Sequence, residues 1–311
     1  MQGIANSKSE RPSDSPGARL RQLVGQRATI AAGCYDSLSA KLAQQAGFHA
    51  LHVTGFGVEA SLLATPDMGL VTLTELASVI QRMTSATDLP IICDVDTGFG
   101  EIENVARTVA LMERAGAAAI HIEDAGSPKR NPFAPGRTVI DREQAVTRVT
   151  VAVESRADKD FVIVGRSDAD CVSVDELVTR SNLFLKAGAD LAMPVTARIN
   201  DRMMGEMAPD EQMEWHRKIV SSIDGPVLGM TAPPGYAPKD MLALGYAIMI
   251  MPMVSFLPAV RAMWDALRAA SPDSKDAPGP INSPVDLMAM MGIDQFIARQ
   301  ERHLARERGG K

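Results

Sequence analysis

Eight short apolar runs, separated by longer amphipathic stretches, dominate this chain from residue 28 onward and restrict what it can fold into. They are residues 28–33 (ATIAAG), 50–55 (ALHVTG), 90–96 (PIICDVD), 118–124 (AAIHIED), 160–168 (DFVIVGRSD), 190–194 (DLAMP), 226–230 (PVLGM) and 246–251 (YAIMIM). Each is too short for a typical helix. Several hold Ile and Val without polar alternation, the pattern of strands buried on both faces of a parallel sheet. Helical patterns such as 38–48 and 175–190 lie between them. The order helix, Ala-Gly, strand recurs at 45–48, 114–117 and 186–190, placing Gly where a left-handed helix C-cap needs it. Eight strands, each followed by helix, predict an α/β chain folded as one (β/α)8 TIM barrel over residues 18–270. No GxGxxG follows the first strand and no Walker loop occurs, so a nucleotide-binding sheet lacks its fingerprint.

The flanks read differently. Residues 1–17 are rich in Ser, Pro and charge and are expected to be a disordered tail without a secretory signal. Residues 271–311 read as a turn-rich linker followed by extra C-terminal helices near 284–291 and 293–307, expected to cover the barrel bottom or pack on a neighbouring subunit. The stretch 241–260 carries no charge, but Gly245, Pro252 and Pro258 split it into a strand and a helix starting near Ser255 rather than a membrane span. A net charge of −6 argues against nucleic acid as a partner. Three cysteines with no CxxC fit a reducing compartment, so a cytoplasmic location is expected, with the thiols buried and inert.

Barrel active sites sit at the C-terminal ends of the strands. There the third run ends in DVDTGFG, where strand alternation puts Asp94 and Asp96 on one face. The fourth ends in IED, adding Glu123 and Asp124, and the segment after the second brings Asp67 to the same rim. Neighbouring strands are about 4.8 Å apart, so these carboxylates converge and repel. A divalent cation resolves that repulsion, and an all-oxygen set selects Mg2+ or Mn2+. Each acid taken singly also reads as a helix cap or a partner for Lys. His121 precedes Glu123 as in the HxE of zinc deaminases, but no PCxxC follows. His49, His52, His216 and His303 are scattered and offer no pair at ligand spacing. Arg166, ending the fifth strand, is expected to grip a substrate carboxylate or to neutralise Asp168 or Glu123. Thr54, Gly55 and Phe56 offer a hydroxyl and backbone N–H groups for carboxylate oxygens. The long segment 127–140 (SPKRNPFAPGRTVI) reads as a mobile lid.

At these residues the sequence resembles the isocitrate lyase/phosphoenolpyruvate mutase superfamily, from about residue 20 to 270. DVDTGFG resembles the family's D-x-D-T-G-Y-G, AGFHALHVTGFG its second-strand segment, IED its metal-glutamate strand and GRSDAD its A-R-T-D/E-A. The resemblance implies a barrel with a helix exchanged between subunits of a homotetramer. It implies Mg2+ held by Asp94, with Asp67, Asp96 and Glu123 acting directly or through water. It also implies that Thr54, Gly55, Phe56, Asp96 and Arg166 hold a small 2-oxo or 2-hydroxy acid that reacts through an enolate.

Departures from the family narrow the reaction. The lyase branch carries K-[KR]-C-G-H in the lid, its Cys acting as catalytic acid, whereas this lid reads Lys129-Arg130-Asn131-Pro132-Phe133. An amide cannot act as that acid, which counts against methylisocitrate-type retro-aldol cleavage. Phe99 replaces the usual Tyr and removes a hydroxyl from the expected site. Lids without Cys resemble the oxaloacetate decarboxylase branch and, through Asn131, phosphoenolpyruvate mutase. The leading expectation is a lyase that decarboxylates or cleaves an oxaloacetate-like acid. The alternatives are P–C chemistry, with Lys129, Arg130 and Asn131 closing over a phosphoryl group, methylisocitrate lyase-like retro-aldol cleavage without the usual Cys, and a non-catalytic dicarboxylate-binding barrel.

Overall fold

In the computed structural model the described residues are 14–273 and 279–309, with side chains described to residue 304. All eight expected strands form: β1 (Thr29–Cys34), β2 (Ala50–Val53), β3 (Ile91–Asp94), β4 (Ala119–Glu123), β5 (Val162–Ser167), β6 (Leu191–Pro194), β7 (Leu228–Met230) and β8 (Ile248–Met251). They pair in parallel in the order β6-β5-β4-β3-β2-β1-β8-β7. A parallel bridge between Ala192 and Val227 brings β6 against the segment entering β7 and nearly closes the barrel.

Side chains alternate along each strand, so one set fills the barrel and the other meets the helices. Ala31, Ala50, Ile92, Ala119, Val162, Val164, Leu191, Leu228 and Ile248 pack inside. Leu51, Val53, Ile91, Cys93, Ile120, Ile122 and Ile163 face outward against α2 (Ser37–Gln45), α4 (Leu73–Ala86), α5 (Ile102–Arg114) and α6 (Arg142–Ser155). The same inward parity, followed to the strand ends, selects His52, Asp94, His121, Glu123, Arg166, Met193, Met230 and Ile250.

The flanks correct two expectations. Helix α1 (Pro16–Gln26), capped by Ser15, begins inside the stretch expected to be a tail; residues 1–13 lie outside the described residues. Its Leu20 is fully buried among the interior residues, so α1 associates with the barrel's inner core, a burial that contributes about 1.5–3 kcal/mol. The C-terminal helices α11 (Pro284–Met290) and α12 (Ile293–Gly309) do not cover the bottom. Leu287 and Met288 pack with Phe56 and Phe256, at the C-terminal ends of the strands, because Phe56 lies just beyond β2 and α10 (Phe256–Ala270) just beyond β8. Pro258 falls in the first turn of α10, as its missing N–H requires. No described helix is long and apolar enough to cross a membrane.

Candidate active site

Helix α3 (Gly55–Leu63) starts directly after β2, with Thr54 at its N-cap making no side-chain capping bond. Gly55 leaves room there: a Cβ would crowd Asp94 Oδ2 at 3.0 Å and stand 3.6 Å from Asp96 Oδ1. Gly55 N–H points to Asp94 Oδ2 at 3.4 Å. Asp94 and Asp96 do converge, but not by strand alternation. The strand stops at Asp94, and Asp96 takes a left-handed φ of 47° that lets its N–H donate to Asp94 Oδ1 at 3.1 Å. Asp tolerates that conformation better than most residues, and such outliers concentrate at functional sites.

The other acids arrive from both sides. Glu123 is paired with Arg166 in the β4–β5 register, and Arg166 Nη1 lies 2.9 Å from Glu123 Oε2 and 3.7 Å from Asp94 Oδ2. Asp67 is set by Glu59, whose buried carboxylate accepts from the N–H groups of Met68, Gly69 and Leu70 at 3.0–3.1 Å. Burial pushes the Glu59 carboxyl up to about 7, with Asp67 adding to the shift. A lone acid in the apolar stretch GFGVEASLL was the available signal for Glu59, and sequence reasoning missed it.

The segment expected to be a mobile lid is held down. Lys129 Nζ donates to Asp67 Oδ1 at 2.6 Å and also to Asp96 Oδ1, and Asn131 Nδ2 donates to Asp67 Oδ2 at 2.7 Å. Arg137 anchors the segment's far end on two buried acids, Asp168 (3.1 Å) and Asp170 (2.6 Å). Asp168 also receives the Arg166 fork at 2.8 and 3.2 Å, so Arg137 and Arg166 share one carboxylate. Arg137 was read only as one of the lid's basic residues; its pairing depends on Asp168 and Asp170 lying across the rim. Asp124 stands apart from the site, tying Ser167, the Asp168 amide and Arg180 together.

The electrostatics follow from burial. Burial opposes the charge on Asp94, yet His121, Arg166 and Lys129 hold it well below the usual carboxylate range. Burial raises Asp96 and Glu123, with Lys129 and Arg166 opposing. One of the scattered histidines does find a partner: His52 and His121, inward on β2 and β4, meet Nε2 to Nε2 at 2.9 Å. Strand order, not sequence spacing, brings them together. Burial drives His52 down to about 3 and His121 to about 4, so both are neutral. Phe99 packs against the outer core, and is not among the residues lining the cavity where the resemblance would put a Tyr. Cys34 and Cys93 are buried, and burial pushes the Cys34 thiol up to about 12.

A cavity of about 460 Å3 opens over the strand ends, lined by Thr54, Phe56, Asp67, Asp94, Asn131 and Arg166 among others. Lys129, Arg130, Asp96 and Glu123 stand outside that lining. The acids Asp67, Asp94, Asp96 and Glu123 supply only oxygen, the donor chemistry of Mg2+. The close approach of Gly55 leaves Asp94 Oδ2 open to a further cation, while Glu123 Oε2 is already faced by Arg166. Among the described residues no three His, Cys, Asp or Glu side chains stand close enough to hold a metal alone. Mg2+, which keeps several waters, would therefore be held by Asp94 with the remaining acids acting mainly through water.

A sequence profile for phosphoenolpyruvate phosphomutase matches residues 20–271. The chain is 34% identical to 2,3-dimethylmalate lyase of Eubacterium barkeri, covering 84% of this chain and 88% of that one. It is 36% identical to 2-methylisocitrate lyase of Aeropyrum pernix, covering 83% and 80%. A solved 2,3-dimethylmalate lyase superposes with a TM-score of 0.74 at 29% identity, covering 94% of this chain and 96% of that one. A phosphonopyruvate hydrolase solved with oxalate and Mg2+ gives 0.69 at 28%, covering 93% and 99%. With its barrel, its strand-end acids and these relatives in agreement, the chain belongs to the phosphoenolpyruvate mutase/isocitrate lyase superfamily.

Proposed function

We propose that this protein is a Mg2+-dependent carbon–carbon lyase that removes CO2 from an oxaloacetate-like 2-oxo diacid. The observation that carries this reading is the lid: its closing residue is Asn131, bonded to Asp67, with no acid at that place to protonate a leaving group. Retro-aldol cleavage needs protons moved in step with bond breaking, whereas CO2 leaves without one.

Mg2+, when bound near Asp94, would supply Lewis-acid polarisation of the 2-oxo group. Arg166, held rigid by Asp168, binds the adjacent carboxylate through a charge-assisted contact. The Thr54 hydroxyl and the Phe56 amide in the first turn of α3, both at the cavity wall, would serve as donors to the oxygen on which charge develops. The C3–C4 electron pair moves into the enolate, CO2 departs, and C3 then takes a proton from water. The lid, pinned through Lys129, Asn131 and Arg137, limits solvent at the acid cluster. Phosphoryl chemistry is less well served: Lys129 is committed to Asp67 and Asp96, and Arg130 donates to the Pro135 carbonyl at 2.6 Å.

The test is a panel of 2-oxo and 2-hydroxy diacids with Mg2+ and product identification, read against metal alone and against Asp94→Ala. Oxaloacetate should yield pyruvate and CO2 well above both controls. Turnover of phosphonopyruvate instead, or full activity in Asp94→Ala, would overturn the assignment.

A further inference from the structure

The cavity is electrically divided along the ring. Every charged side chain that lines it comes from the β2–β5 half: Asp67 after β2, Asp94 on β3 and Arg166 on β5. The β6–β8 half contributes Met193, Met204, Met230, Ile250, Met253 and Leu257. Its polar members are uncharged. Gln212 Nε2 donates to the Met207 carbonyl at 2.9 Å. His216 pairs with the Tyr246 hydroxyl at 2.8 Å and is kept neutral by burial. Thr196 and Thr231 complete this side. Arg166 is thus the one cation among the described lining residues, and it is already matched by Asp94, Glu123 and Asp168.

A carboxylate placed against the β6–β8 half would lose its water and find no counter-charge. An alkyl group there would leave water for methionine and isoleucine side chains that adapt to its shape. The volume suits this division, because small-molecule sites run about 300–1,000 Å3 and an acid head alone needs less than the 460 Å3 present.

We propose that the β6–β8 half is a binding site for an alkyl substituent, so that the substrate is a 2-oxo diacid whose oxo-acid head lies at Arg166 and whose C3 carries an extended apolar group directed to β6–β8. This rests on the lyase reading for its chemistry, but not for its binding prediction. A tricarboxylate such as methylisocitrate is excluded by the same charge division.

Binding is measured by calorimetry with Mg2+, using oxalate as the head alone and 2-oxobutanoate, 2-oxohexanoate and 2-oxooctanoate as inert heads with growing tails. Affinity should rise about fourfold per methylene until the cavity is filled. Met204→Lys, which puts a charge in the apolar half, should flatten the series. Oxalate binding with a flat series in the unaltered protein overturns the inference and leaves the lyase reading intact. A rising series without CO2 release from 3-alkyl oxaloacetates overturns the lyase reading and leaves the inference intact.

Discussion

Lys129 places a positive charge between Asp67 and Asp96, and replacing it by Met keeps the stem while deleting that charge. At 2.6 Å and an effective dielectric constant near 20, the Lys129–Asp67 attraction alone is about 6 kcal/mol before desolvation is subtracted. Stranding buried carboxylates by removing their partner typically costs about 3–5 kcal/mol. For 311 residues with an unfolding entropy of about 2.1 cal/mol/K per residue, that lowers the thermal midpoint by about 5–8 °C. Mg2+ should return much of the loss, because the freed acids then bind a divalent cation in place of the ammonium. At a hundred times its Kd, a ligand of the folded state adds about 2.7 kcal/mol, or roughly 4 °C. The assay is thermal unfolding of both proteins in EDTA and across a Mg2+ titration. A Lys129→Met midpoint within 1 °C of the parent in EDTA, or a Mg2+ response no larger than the parent's, would refute the reasoning.

Arg166→Lys keeps the charge but loses the fork that meets Asp168 through two nitrogens. Loss of one charge-assisted bond, about 1.5–3 kcal/mol, predicts a 10- to 150-fold fall in kcat/KM on the best diacid; steady-state kinetics showing less than a threefold fall contradicts the role. His216 is lowered from 6.5 to about 4 by burial, so the unfolded chain binds its proton first as pH falls. Its contribution is therefore complete above pH 6.5, declines as pH drops toward 4, and amounts to about 3 kcal/mol in all. His216→Gln should shallow the acid limb of a midpoint-against-pH curve, and parallel curves would count against it.

The strands and most helices were legible because their signal is local. Apolar runs bounded by Gly and helical periodicity depend only on neighbours in sequence, and the rule that barrel sites lie where strands run out already singled out Asp94, Glu123 and Arg166. Helix α1 went unread because GARLRQLVGQ has only a few apolar positions, and its burial becomes visible only where Leu20 meets the inner core. Asp96 was placed correctly for the wrong reason, since a left-handed turn after β3 does what strand alternation was expected to do.

By itself, then, the sequence determined the barrel, its strand-end rim and the acids gathered there, because period, turn residues and strand-end identity are properties of short segments. Tertiary structure decided what those acids face. It brought His52 to His121, seated Lys129 between Asp67 and Asp96, and shared Asp168 between Arg137 and Arg166. It also set an uncharged wall from β6–β8 opposite a charged one from β2–β5. Those juxtapositions arise when a sheet curls until its two ends meet, a closure that no stretch of the chain encodes alone.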